Sequence, residues 1–196
     1  EGADLVINLV AVFYESGKGQ SFDATMVKGA ATVAEAAAKA GVRRPILNLT
    51  KYNKTQQKNR QFIQGEPVAV LMCELKADSE EPLNIEVDKL LDSVNNSNLS
   101  YAAPVLKGND IIKVMELRKA GLGLLGNMIG DKKAVACIED TAVALDDLDY
   151  FISEFTSLMK SHNQDAVYYA HAGAGEIHLR PILNLKKQED VSLFRT

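Results

Sequence analysis

The chain has 196 residues, 46% of them apolar and 24% charged, with a formal net charge of −4; this is the composition of a globular protein of one or two domains with a sizeable core. The mild acidity excludes a global basic field for nucleic acid or anionic membrane, and no apolar run is long enough to span a bilayer. Two cysteines, Cys73 and Cys137, without CxxC spacing exclude a disulfide scaffold, and with no leader pattern they predict a soluble cytoplasmic protein whose thiols are buried and reduced.

In chain order, residues 5–10 are an apolar run fit for a buried strand, and residues 25–40 are an alanine-rich helix closed by Gly41. A short apolar segment follows at 45–50, then a polar helix or linker at 51–61. Residues 68–75 read as a strand. Pro82 stands at a helix start and opens a helix to about residue 95. A short strand is expected at 100–105. Asn109 and Asp110 can cap a helix running to about Leu125. Residues 134–139 read as a strand and 145–162 as an amphipathic helix, with Leu148, Phe151, Ile152, Phe155, Leu158 and Met159 on one face. Residues 167–170 and 177–183 make a final hairpin. This order predicts an α+β fold with helices on one face of the sheet, rather than a doubly wound parallel sheet.

The hairpin carries His171 and His178 on either side of the small-residue turn Ala172-Gly173-Ala174-Gly175. Two neutral imidazoles brought together can share a metal or face an anionic substrate; they can equally be structural. Arg118 lies in the 109–125 helix, where its guanidinium is either solvated or a fork for a carboxylate. Glu139 and Asp140 follow a strand, where paired acids either line a site or cap the next turn. His162 reads as a surface histidine. Glu176 reads as a turn residue, with a substitute metal ligand as the alternative. Gly121-Leu122-Gly123-Leu124-Leu125-Gly126 matches the dinucleotide pattern, but a helix precedes it and a loop follows, so it is read as helix termination or close packing. Tyr14 and Lys18 have the spacing of a proton-transfer pair, but Ser16-Gly17-Lys18-Gly19 is loop-like, so it is read as coincidence. Arg44-Pro45-Ile46-Leu47-Asn48-Leu49 recurs as Arg180-Pro181-Ile182-Leu183-Asn184-Leu185 with diverging neighbours. That argues against a solenoid and suggests a splice of unrelated sequences, so that the chain reads as a fragment or chimera.

Longer strings carry a family resemblance. Tyr168-Tyr169-Ala170-His171-Ala172-Gly173-Ala174-Gly175-Glu176-Ile177-His178-Leu179-Arg180-Pro181, with Gln64-Gly65-Glu66-Pro67, Tyr101-Ala102-Ala103-Pro104-Val105, Glu116-Leu117-Arg118-Lys119-Ala120-Gly121-Leu122 and Ile138-Glu139-Asp140-Thr141-Ala142-Val143, resembles the C-terminal substrate domain of FAD-linked oxidases of 2-hydroxy acids, of the D-lactate dehydrogenase, glycolate oxidase and D-2-hydroxyglutarate dehydrogenase type. It covers about residues 45–196, and is most similar to large bacterial enzymes that also carry an iron–sulfur region. The resemblance implies a ferredoxin-like sheet roofing a flavin, FAD held mainly by a domain outside this chain, and an oxidoreductase acting on a hydroxy acid. It implies Arg118 at the substrate carboxylate, His171 and His178 as catalytic groups and ligands of a divalent metal, and Glu139 and Asp140 lining the cofactor side. A third metal ligand is expected beyond Thr196. Ala174 and Glu176 stand where many members carry aspartate and asparagine, and Leu122 stands where related enzymes have a hydroxyl. Residues 1–44 instead resemble a strand–helix piece of an extended, NAD-binding short-chain dehydrogenase, without its glycine-rich first turn.

Overall fold

The computed structural model describes residues 45–67, 69–75, 77–98 and 100–195. The strand and helix expected at 5–10 and 25–40, the Tyr14–Lys18 pair and the short-chain-dehydrogenase-like stretch lie outside the described residues. The chain opens on helix α1 (Pro45–Tyr52), then a short α2 (Lys54–Gln57) and a 3-10 turn (Lys58–Arg60). Pro45 suits a first helical turn, where an amide N–H would have no partner. The Asn53 side chain accepts from the Gln56 amide and starts α2. Helix α3 (Glu80–Ser97) contains Pro82 in its first turn and ends at Asn98, whose left-handed φ of 54° stops it. None of its side chains is buried.

Helix α4 (Asn109–Leu125) buries Val114, Leu117, Gly121, Leu124 and Leu125, a stripe at helical spacing. Gly121 and Gly123 lie inside it and Gly126 closes it, so the glycine string is a helix end and no dinucleotide loop. Helix α1 packs along α4. There Asn59 donates through Nδ2 to Glu116 Oε2 at 3.1 Å, and Arg60 donates to the buried Thr50 hydroxyl at 2.5 Å.

The sheet is antiparallel. Strand β4 (Glu176–Leu183) is its centre. β3 (Ala166–His171) lies along one edge, and β1 (Lys133–Ala134) and β2 (Ile138–Ala142) follow one another along the other. Side chains alternate between the two faces. On one face Ala166, Ala170, Ile177 and Leu179 pack with Leu148, Ile152 and Phe155 of helix α5 (Leu148–Ser161). Phe155 meets Tyr168 edge-on at 5.8 Å, and the Tyr168 hydroxyl lies 2.7 Å from Thr156 Oγ1. On the other face Val167 and Ile182 pack with Leu125 of α4. A short helix α6 (Gln188–Leu193) follows.

The mixed α+β class and the final hairpin agree with the sequence reading. The helices, however, are not confined to one face, because the apolar stripe of α4 covers the sheet face opposite α5. Strands are absent at 69–75 and 100–105 among the described residues. Those apolar residues are used without a ladder: Ala69 and Leu71 pack on the α5 core. The 134–139 strand is split into β1 and β2. The amphipathic helix starts at Leu148 after a 3-10 turn; Leu148, Ile152 and Phe155 are buried, Phe151 and Met159 pack partly against the same core, and Leu158 is exposed. Cys137 is exposed, against the expected burial, whereas burial pushes the Cys73 thiol up to about 12. No described helix is long and apolar enough to cross a membrane.

Candidate functional site

The sheet face under α4 carries a polar cluster, and strand geometry explains its membership. In the β3–β4 hairpin Tyr169 stands opposite His178, and His171 opposite Glu176. Residues two apart share a face. Tyr169 and His171 therefore align along β3, and Glu176, His178 and Arg180 along β4. The turn is a 3-10 segment (Ala172–Ala174) closed by Gly175 at φ +69°.

The third strand adds two acids. From Ile138 to Thr141 β2 advances three residues while β4 advances two, from Leu179 to Ile177. The extra residue is a β-bulge, and Glu139 and Asp140 together oppose His178. Asp140 takes a left-handed φ of 54° to make it. A regular strand would send consecutive side chains to opposite faces; the bulge brings both carboxylates to one imidazole. His178 Nδ1 lies 2.8 Å from Glu139 Oε2 and 3.3 Å from Asp140 Oδ1. The direction of approach leaves Nδ1 without an aligned hydrogen bond, although it is buried. Glu139 is itself held by Arg180, with Nε to Oε1 at 2.7 Å and Nη2 to Oε2 at 3.2 Å.

Helix α4 supplies the cation. Arg118 follows the buried Leu117 and reaches over the sheet. Its Nη2 lies 3.2 Å from His171 Nδ1 and 3.5 Å from Nε2, and its guanidinium carbon is 5.3 Å from the centre of the Tyr169 ring. The two imidazoles are 5.7 Å apart, centre to centre. One ligand atom from each of His171, Glu176 and His178 lies within 4.8 Å of the others, with Glu176 Oε1 3.7 Å from His178 Nε2.

Burial, then the Arg118 charge, lowers the His171 pKa below its ordinary 6.5; His178 adds to this, while Glu176 and Asp140 oppose it. His171 is thus a neutral donor at neutral pH. The unfolded chain binds this proton near 6.5 and the folded chain only at lower pH. The contribution of His171 to stability is therefore complete above 6.5 and lost as pH falls through its folded value. In an NMR titration the His171 midpoint is expected below 6.5, and to rise in Arg118→Met; a midpoint at or above 6.5 in the unaltered chain contradicts this electrostatic account.

All five residues singled out in the sequence, Arg118, Glu139, Asp140, His171 and His178, come together here. Sequence reasoning discounted Glu176 as a turn residue and missed Tyr169 and Arg180; counting strand positions outward from the turn places all three on the histidine face. His162 is exposed, as expected.

The arrangement is a mixed antiparallel-sheet and helix fold, with no dinucleotide loop among the described residues. The family described as FAD linked oxidases, C-terminal domain, matches residues 15–196, and the chain belongs to that family. It is similar to D-2-hydroxyglutarate dehydrogenase of Haemophilus influenzae, at 30% identity over 91% of this chain and 18% of the relative. It is also similar to D-2-hydroxyglutarate dehydrogenases of Escherichia coli, at 29% identity over 61% of this chain and 12% of the relative, and of Pantoea ananatis, at 39% over 38% and 7%. The chain thus spans less than a fifth of the length of these curated relatives. The match begins inside the 1–44 segment, whose short-chain-dehydrogenase resemblance finds no support in these comparisons.

Proposed function

We propose that this chain is the substrate-domain portion of a flavin-dependent oxidoreductase that oxidises a 2-hydroxy acid to a 2-oxo acid, with residues 45–196 carrying the substrate chemistry. The observation that carries the reading is the convergence of one guanidinium, two imidazoles and one carboxylate on a single face: Arg118 within 3.2 Å of His171, and His171, Glu176 and His178 within 4.8 Å. The family match and the printed names of the relatives support it.

The residues present suit a divalent metal. Two imidazoles and a carboxylate are the donor set of many open zinc sites, and buried His178 Nδ1 faces two carboxylates, as expected for a ring whose other nitrogen serves as a ligand. His171, Glu176 and His178 would hold the ion, and Glu176 takes the third place that the sequence reading put beyond the chain. When bound, the metal would polarise the substrate hydroxyl and favour its deprotonation. FAD, carried by a domain outside the described residues, would accept the C2 hydride. Asp140, whose side chain is 74% exposed, would be the acid of the bulge that faces a cofactor from another domain; Glu139 is engaged by Arg180 and His178.

The remaining steps rest on this chain's residues. Arg118 takes the substrate carboxylate in its planar fork, and the Tyr169 ring beneath it keeps that fork in the plane of the site. This directs the hydroxyl-bearing carbon toward the imidazole pair. The two histidines must be neutral to act on the hydroxyl, as ligands or as proton acceptors, and the depressed His171 pKa keeps that ring neutral.

The test is anaerobic mixing of the whole flavoprotein that contains this chain with both enantiomers of a panel of 2-hydroxy acids. The flavin absorbance is expected to bleach with at least one of them, and not in His178→Ala. Bleaching by none, or bleaching unchanged in His178→Ala, would overturn the reading.

A further inference from the structure

We propose that Arg180 is a positioning residue: it clamps Glu139, and Glu139 fixes His178 as the Nδ1–H tautomer, so that Nε2 carries the lone pair presented to the metal. The proposal rests on the metal-site reading above and adds to it a residue outside the ligand set.

The chain of contacts is continuous and largely withdrawn from water. Arg180 meets Glu139 through two N–H···O contacts of 2.7 and 3.2 Å, with the arginine side chain 17% exposed and the glutamate 28%. The same Glu139 Oε2 that accepts from Arg180 Nη2 lies 2.8 Å from His178 Nδ1. Although neither carboxylate makes an aligned hydrogen bond to Nδ1, the two negative charges beside it repel a ring-nitrogen lone pair and attract an N–H. Nδ1 is therefore the protonated nitrogen, and Nε2, 3.7 Å from Glu176 Oε1, is the lone-pair nitrogen on the ligand side. Such outer partners orient a histidine ligand and raise its basicity.

Local structure makes Arg180 the member that sets the geometry. Glu139 lies in the bulge, outside the regular paired positions of β2. Arg180, two residues beyond His178 on the regular central strand, holds its carboxylate with a bidentate fork. A merely structural reading has Arg180–Glu139 as a cross-strand link stapling the bulge. The two readings differ in what they say about His178 once the chain is folded. Asp140 provides an internal comparison: it approaches the same nitrogen but is 74% exposed and unclamped by Arg180.

The experiment uses the full chain, with Arg180→Met, Arg180→Lys, Glu139→Gln and Asp140→Asn. The isosteric Glu139→Gln keeps the test open should Arg180→Met fail to fold. Nitrogen-15 shifts of the His178 ring in the metal-free chain report the tautomer, and titration with zinc alone reports affinity. The expected result is an Nδ1–H tautomer in the unaltered chain, mixed tautomers in Arg180→Met and Glu139→Gln, and zinc affinity lower by about 10- to 100-fold in both. Arg180→Lys, which keeps the charge but not the fork, should recover part of the loss, and Asp140→Asn should change little. An Nε2–H tautomer in the unaltered chain, or folded variants with unchanged tautomer and affinity, overturns the proposal. An unaltered chain with the expected tautomer and no zinc binding overturns the metal reading and, with it, the part of this proposal that concerns the ligand nitrogen.

Discussion

Replacing Arg118 with methionine is expected to raise the KM for the hydroxy acid by about 10- to 150-fold, the loss of one or two charge-assisted hydrogen bonds, with a smaller change in kcat. The carboxylate is held in both ground and transition states, so its loss appears as uniform binding. A second effect follows from where the guanidinium lies in the ligand-free chain. Its Nη2 is 3.2 Å from His171 Nδ1, and a guanidinium can only donate, so it engages an imidazole lone pair and sets a cation beside the metal position. A substrate carboxylate is the stronger partner. When it draws Arg118 away, it leaves negative charge beside the metal and frees His171. Metal and substrate should therefore bind with positive coupling in the unaltered protein. In Arg118→Met metal should bind more tightly without substrate, and that coupling should vanish. Steady-state kinetics and metal titrations with and without the hydroxy acid read both effects; an unchanged KM removes Arg118 from the carboxylate.

Gly175→Ala is expected to destabilise the fold by about 2–5 kcal/mol, combining a left-handed backbone cost with steric overlap. Gly175 has φ +69°, and a Cβ there would stand 2.0 Å from the Val143 carbonyl oxygen. That approach is part of the architecture, because the Val143 amide donates to the Gly175 carbonyl at 2.8 Å and ties the end of β2 to the hairpin turn. The obstructing atom is backbone, so no rotamer change relieves it. The same displacement would separate His171 from Glu176, the last pair before the turn, so metal affinity should fall with stability. Chemical denaturation measures the first effect; a loss below 1 kcal/mol would mean that the turn and Val143 are less tightly joined than described.

The parts legible in the sequence were those written in local pattern. The apolar face of α5, the small-residue turn and the flanking β-runs announce helix and hairpin without tertiary help. The site was legible as residue types, Arg118 and the two histidines, but not as a set. Glu139 and Asp140 reach one imidazole only through a bulge, a register defect that no strand pattern records, and Arg180 matters through its partner across the sheet. The repeated hexamer shows the limit most directly. Residues 45–47 belong to α1, whereas the identical residues 181–183 belong to the buried central strand. Propensity is the same at both places, and the neighbours decide: α4 receives the first copy as a helix, and hydrogen-bonding strands on both sides hold the second as β. The strand expected at 68–75 fails for the same reason in reverse: an apolar run found a core to pack on without a ladder among the described residues.

The central claim is that His171, Glu176 and His178 form a divalent metal centre beside Arg118. X-ray absorption at the zinc edge, on the full chain loaded with zinc, tests it most directly. The account predicts two imidazole nitrogens and at least one carboxylate oxygen at about 2.0–2.2 Å, with one imidazole shell lost in His178→Ala and the carboxylate lost in Glu176→Gln. Zinc that fails to bind, or a bound ion with no imidazole scattering, would contradict it.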